Sequence, residues 1–362
     1  MKEYTRKQNT AGNEGSCCDL TEFLNGDLRF RSFRLAIDAA IQLTEIFRRL
    51  HEGRMCFHSF RGEDMKLFTD TGKTLLVRER ADIGAAGGTT GLASDARYQA
   101  PEILRGTHSP DQFSDRHLMA VLIYQIITGG DHPLEGARAA GPVMTDALED
   151  LLYRSDPLFL FDPDREENRP DPKLHYKSIA LWEALPEPIR GLFLQTFGSG
   201  GGKGLTDPGA RPSEQEWRDA LMHLQNSMVP CGCGKMLFDT GGDAIVCGSC
   251  GTIHRIPCWI ELEQTRIPAV RGNRIYGSQI GAEESKGAEP AARIIAAQAD
   301  VKRLGLQNIS GAAWEAETTK GTMKTVEPDE VIPLKDGIRI RCGGAAIKIV
   351  GGRANGAEDG DK

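Results

Sequence analysis

No apolar run in this chain approaches the roughly 20 residues needed to span a bilayer, which excludes a membrane-spanning helix. The opening segment, MKEYTRKQNTAGNEGS, has no apolar core of the kind that marks a secretory signal, so a cytoplasmic location is expected. Positive charge is also in short supply. Lys and Arg total 44 against 51 Asp and Glu, a formal net charge of −7 with a pI near 5.7. A protein that works by neutralising phosphates carries the opposite sign, so nucleic acid is not an expected partner. No internal repeat is found, which excludes a repeat architecture.

What is present suits a soluble protein of several domains. The chain has 362 residues, 40% hydrophobic and 26% charged, and at about 150 residues per domain this length allows two or three. Gly is abundant at 42 residues, which points to many turns. Residues 1–16 read as a disordered tail. A helix is expected over about 32–51, where Leu43, Ile46, Phe47 and Leu50 share one face and Gly53 follows the end. The apolar runs Met65–Phe68 and Leu75–Val77 flank Thr69–Gly72 as a hairpin, and the Gly/Ala/Thr-rich stretch 81–96 reads as a loop.

The run DRHLMAVLIYQIIT at 115–128 is apolar on nearly every face and must be a helix buried all round, with Ser114 as its N-cap and Gly129-Gly130 at its end. Helical residues at about 176–197 are interrupted by Pro186 and Pro188, and SGGGKG at 199–204 is a loop. Ser213 and Glu216 form a capping box for a helix with Trp217, Leu221 and Leu224 on its apolar face. The expected organisation is one mainly α domain at 17–228, a cysteine-bearing ribbon at 229–275 and a linker at 276–299. A small all-β module at 300–352 and a charged tail at 353–362 complete it.

Nine cysteines are unevenly placed. Cys231 and Cys233 form C-x-C, and Cys247 and Cys250 form C-x-x-C, with Gly234 and Gly251 following. Two sharp turns presenting two thiolates each suit a tetrahedral metal, and Lys235–Val246 between them suits the hairpin of a zinc ribbon. Four thiolates leave no position for water, so a structural zinc is expected, one per chain. His254 and Cys258 are spare ligand candidates, while Cys17, Cys18, Cys56 and Cys342 read as packing residues.

Residues 44–136 resemble the C-terminal lobe of a protein kinase. Ala100-Pro101-Glu102 is similar to the motif that closes the activation segment. Asp115, the helix to Thr128 and GGDHPLEG at 129–136 are similar to the helix and turn that follow it, with Ala120 in the usual glycine position. Arg211 stands where the family arginine pairs with the motif's glutamate, so the resemblance implies structural roles for Glu102, Asp115 and Arg211. Residues 30–53, 159–172 and the RPSEQEW helix look like a bacterial group in which a zinc ribbon and a β module follow the lobe. Members of that group associate with von Willebrand-type and phosphatase-type proteins in tellurite-resistance-like signalling.

The same resemblance shows what chemistry is missing. Too few residues precede the first helix for a kinase N-lobe, and neither a G-x-G-x-x-G loop nor a V-A-I-K lysine is found. His58-Ser59-Phe60 stands where the catalytic aspartate belongs, and the metal-binding asparagine position falls on Asp64 or Met65. The second metal aspartate falls near Arg78-Glu79-Arg80, with Asp82-Ile83-Gly84 as a late alternative. Neither ATP nor Mg²⁺ is expected as a cofactor.

In the β module, LGLQNIS at 304–310 and the rhythm Leu334, Gly337, Ile338, Ile340, Gly343 resemble a forkhead-associated sandwich. The phosphothreonine-reading residues of that family are not evident, and Lys320-Gly321-Thr322 is a faint echo of one of them. The reading is a degenerate kinase-like scaffold or adaptor that binds protein partners, with self-association or a covering partner expected over the apolar surface a missing N-lobe would expose. The alternatives are an active Ser/Thr kinase whose N-lobe lies outside this chain, and a zinc-ribbon adaptor with an unrelated helical domain.

Overall fold

The computed structural model describes residues 16–26, 28–77, 82–88, 95–141, 143–239, 242, 244–263, 265–282, 287–298 and 300–351. The charged tail, all but Ser16 of the N-terminal tail, and Arg78-Glu79-Arg80 lie outside the described residues. No helix among the described residues is long and apolar enough to cross a membrane. The chain divides into two compact units, Met1–Trp182 with Arg190–Trp217, and Glu183–Ile189 with Arg218–Lys362.

The first unit opens with strand β1 (Cys17–Asp19) and helix α1 (Leu20–Asn25), whose N-terminus is closed by an Asp19/Glu22 capping box. Helix α2 (Phe33–Glu52) follows the expected periodicity, starts at an Ser32 N-cap and buries Leu43, Phe47 and Leu50. Then come β2 (Met55–Ser59), the hairpin β3 (Met65–Phe68) and β4 (Lys73–Leu76), and β5 (Asp82–Ala85). The hairpin acquires β1 as a third strand, in the order β1-β3-β4. Gly72 sits so tightly on α2 that a Cβ there would meet the Leu35 carbonyl oxygen at 2.7 Å, so only glycine lets the turn dock.

Residues 82–85 do not belong to a loop. They form β5 and pair antiparallel with β2, with a bulge at His58 between Phe57 and Ser59. Four residues of Asp-Ile-Gly-Ala carry little strand propensity; the partner strand supplies the stability.

The short α3 (Pro101–Leu104) precedes α4 (Gln112–Thr128), which is buried on all sides. The N-cap of α4 is Asp111 rather than Ser114: the Asp111 carboxylate accepts the Phe113 and Ser114 amides, and the Ser114 hydroxyl accepts the Asp111 amide in return. Further helices are α5 (Asp146–Glu149), α6 (Tyr176–Ala184), α7 (Glu187–Phe197) and α8 (Glu214–Ser227). Pro186 separates α6 from α7, while Pro188 is accommodated in the first turn of α7, where no intrahelical amide bond is lost. The expected Ser213/Glu216 capping box is present at the start of α8.

The second unit reaches back into α8, so the expected boundary at residue 228 is corrected. The Asn226 side chain donates to the Arg274 carbonyl and accepts the Arg274 amide, both at 2.8 Å, which ties the helix end to the β unit. Two small hairpins come first: β6 (Met228–Pro230) with β7 (Met236–Phe238), and β8 (Ala244–Val246) with β9 (Ile253–Arg255). Next are β10 (Cys258–Glu261), β11 (Arg266–Pro268), β12 (Arg274–Tyr276), β13 (Pro290–Ala296) and β14 (Leu304–Asn308). The last five are β15 (Trp314–Glu317), β16 (Met323–Val326), β17 (Val331–Pro333), β18 (Arg339–Cys342) and β19 (Ala345–Gly351).

Strands β10 to β19 form a six-stranded antiparallel sheet, ordered β11-β10-β19-β18-β15-β16, and a four-stranded one, ordered β12-β13-β14-β17. The β module therefore begins near Cys258 rather than at residue 300. The stretch 276–299 is not a linker: Ala291, Ala292 and Ile294 of β13 point into the common core with Ile260, Trp314, Ile340 and Ile349. Alternation along β10 joins ribbon and sandwich, because Cys258 and Ile260 face the sandwich core while Trp259 packs with Val229, Ile245 and Ile256 of the ribbon.

A four-cysteine centre and the loop at His58

The centre is made by two tight turns. In the first, the Cys231 amide donates to the Lys235 carbonyl at 2.8 Å and the Gly234 amide to the Cys231 carbonyl at 2.9 Å. In the second, the Cys247 amide donates to the Thr252 carbonyl at 2.9 Å and the Gly251 amide to the Cys247 carbonyl at 2.8 Å. Gly234 and Gly251 have φ of +87° and +70°, the left-handed region where a Cβ is costly. Each turn thus aims two sulfurs at one point.

The four sulfurs of Cys231, Cys233, Cys247 and Cys250 lie within 4.8 Å of one another, the only such group of potential ligands among the described residues. The Cys231–Cys250 and Cys233–Cys247 sulfurs are 3.6 and 3.7 Å apart. A tetrahedron with metal–sulfur bonds of about 2.3 Å has edges of about 3.8 Å, so the donor set fits a metal ion. The Thr252 hydroxyl and amide beside Cys250 draw its thiol down to about 6, which favours the thiolate a metal requires.

Neither spare candidate joins the group. Cys258 points into the sandwich core, where burial pushes its thiol up to about 11. His254 stands opposite Ile245 in the β8–β9 hairpin.

Of the residues expected at the degenerate catalytic loop, His58, Ser59 and Asp82 come together on the paired strands β2 and β5, while Asp64 and Met65 lie at the start of the β3–β4 hairpin. The His58 ring rests on Gly84 and Gly88, where a Cβ would come within 2.3 and 2.5 Å of it, and its Nε2 is 3.0 Å from the Ala85 carbonyl oxygen. The Ser59 hydroxyl donates to the Asp82 carboxylate at 3.3 Å, and Phe60 is buried edge-on against Tyr98. Asp64 is buried and its carboxylate accepts the Arg61 amide at 2.8 Å, closing its own turn. Met65 is buried on β3. Glu79 lies outside the described residues.

Glu102 and Arg211, 109 residues apart, meet in a bidentate pair at 2.6 and 2.8 Å. Two further Arg211 donors reach the Phe113 and Gly204 carbonyls at 2.8 and 2.9 Å, so four of the five guanidinium N–H groups are engaged.

Asp115 is buried and accepts the Phe57 amide at 3.1 and 3.2 Å. It also faces His51 Nε2 at 3.0 Å, while His51 Nδ1 is 3.0 Å from Glu214, which in turn accepts from Arg116 at 3.0 Å. Sequence reasoning missed His51, Arg116 and Glu214, since residues separated by up to 163 positions leave no local pattern. Compared with models of known protein families and with curated proteins, the chain matches none.

Proposed function

We propose that the chain is a non-catalytic, kinase-like scaffold that binds protein partners in bacterial phospho-signalling, stapled by a structural zinc ribbon and extended by a forkhead-associated-like sandwich. The observation that carries this reading is how the carboxylates are used. Phosphoryl transfer needs a carboxylate base and carboxylates or amides open to Mg²⁺. Asp64 closes a buried turn and Asp82 takes the Ser59 hydroxyl. Ser59 and Phe60 stand where the base belongs, a role worth ~10²–10⁴ in rate.

The buried Glu102–Arg211 pair supports a kinase-like lobe over an unrelated helical domain, because it joins the two segments that the resemblance links. For the metal centre, four thiolates suit zinc and leave no open position for water, which makes the role structural. In the sandwich, Ile338 and Ile340 fill the core while Gly337 and Gly343 turn with φ of +84° and +58°. Lys320-Gly321-Thr322 forms only the turn between β15 and β16. Partners of the von Willebrand and phosphatase types follow from the resemblance, and self-association or a covering partner from the apolar surface that a missing N-lobe would expose.

The test is transfer of labelled phosphate from ATP with Mg²⁺ by the metal-loaded chain. No label on the chain itself or on generic acceptor proteins is expected. Transfer above a protein-free control would overturn the reading in favour of a Ser/Thr kinase whose N-lobe lies outside this chain.

A further inference from the structure

We propose that the His51 imidazolium is the proton-operated key of a charge latch, built from α2, α4 and α8, that holds the middle of β2 at Phe57, and with it Phe57–Phe60, in place. The geometry demands the charged ring. Both ring nitrogens face a carboxylate oxygen at 3.0 Å, Asp115 on one side and Glu214 on the other, and a carboxylate can only accept. A neutral imidazole has one N–H. Loss of the second proton therefore sets a ring lone pair against a carboxylate oxygen in a site where His51 is 7% and Asp115 2% exposed in their side chains.

With the proton in place the cluster is balanced: Asp115 and Glu214 against His51 and Arg116. The other charged groups near it are already committed. On α2, Arg48 and Arg49 pair with Glu45, and Arg48 also with Glu52. At the start of α4, Asp111 accepts the helix amides. From β2, the Cys56 thiol is pushed up to about 12 by burial and by Asp115, so it stays neutral.

The latch reaches the surface through Asp115. Its two oxygens hold the Phe57 amide, and Phe57, Ser59 and Phe60 line a recess with Tyr98, Gln99 and Asp115 itself. Burial alone would push the His51 ring down, but the hydrogen bonds and charges of Asp115 and Glu214 outweigh it and raise the ring to about 9. The imidazolium's contribution is thus complete below the ordinary value near 6.5 and is lost as pH climbs through about 9. Acidification acts on a different group: burial raises Asp115 to about 6, and its carboxyl then takes up a proton without removing the cation beside it.

The experiment is ¹⁵N-histidine NMR of the full metal-loaded chain, with amide exchange at Phe57, from about pH 6 to about pH 10. His51 should carry protons on both ring nitrogens at neutral pH and lose one near pH 9. Across that step, Phe57 protection corrected for intrinsic exchange should fall by ~10-fold or more. His51→Gln should show the low protection already at neutral pH. Should that variant fail to fold, Glu214→Gln retains His51 and Asp115 and should move the step down by about one pH unit or more. A singly protonated ring at neutral pH, flat Phe57 protection through the step, or an unmoved step in Glu214→Gln would overturn the latch.

Discussion

Replacing Cys247 by serine, or stripping the metal with a chelator, should unfold the ribbon and with it the environment of Trp259. The reason is the size of what remains. Strands β6 to β9 are three residues each, and the core beneath them is Val229, Ile245, Ile256 and Trp259, supplemented by Leu237 and Val270. So few apolar side chains cannot offset the entropy of ordering about thirty residues. Structural zinc contributes apparent free energies of about 10–16 kcal/mol at neutral pH in isolated zinc-finger peptides, as much as the whole margin of about 5–15 kcal/mol of a typical domain. Metal analysis of an untreated sample should give one zinc per chain. Trp259 fluorescence should shift on chelation and return on adding zinc. A folded sample without metal, or a Cys247→Ser variant with unchanged Trp259 emission, would contradict the assignment.

Glu102→Ala should cost about 3–5 kcal/mol, because it leaves the Arg211 guanidinium buried and uncompensated. The Arg211 side chain has 0% exposure and that of Glu102 8%, so water cannot take the partner's place. Removing both ends, as Glu102→Ala with Arg211→Met, should recover part of the loss, since two buried charges then disappear together. The check is a denaturant series followed through Trp182 and Trp217, which both lie in the first unit. A loss below about 1 kcal/mol in the single variant would mean that the pair behaves as an exposed one and does not hold the lobe together.

Where a side chain's role is local, the sequence declared it. The 3.6-residue rhythm of Leu43, Phe47 and Leu50 placed α2, and the unbroken apolar run placed α4 as a buried helix. The spacing of four cysteines, each pair followed by a glycine, specifies both turns of the four-cysteine centre. Glu102 and Arg211 were legible only through a resemblance, since nothing in their immediate neighbours announces a pair 109 residues apart.

Other features needed the third dimension. Strand β5 is a Gly- and Ala-bearing tetrapeptide whose conformation is imposed by β2. The segment around β13 looked like a linker because Gly, Glu and Pro precede it, yet Ala291, Ala292 and Ile294 are core. Alanine gives little hydrophobic signal, so periodicity could not find the strand. By its pattern the end of α8 belongs to the helical domain, but Asn226 binds the backbone of Arg274. The latch at His51 is assembled from α2, α4 and α8, and no spacing rule connects them.

The scaffold we propose does not handle nucleotide, and titration calorimetry with ATP, with and without Mg²⁺, tests that most directly. Asp64 and Asp82 are both engaged within the fold, so the metal-loaded chain should show no heat of binding up to millimolar ATP in either condition. Micromolar binding that depends on Mg²⁺ would contradict the account. It would mean that a carboxylate among Asp64, Glu79 and Asp82 builds a metal–nucleotide site, and that the lobe is a working part of a kinase.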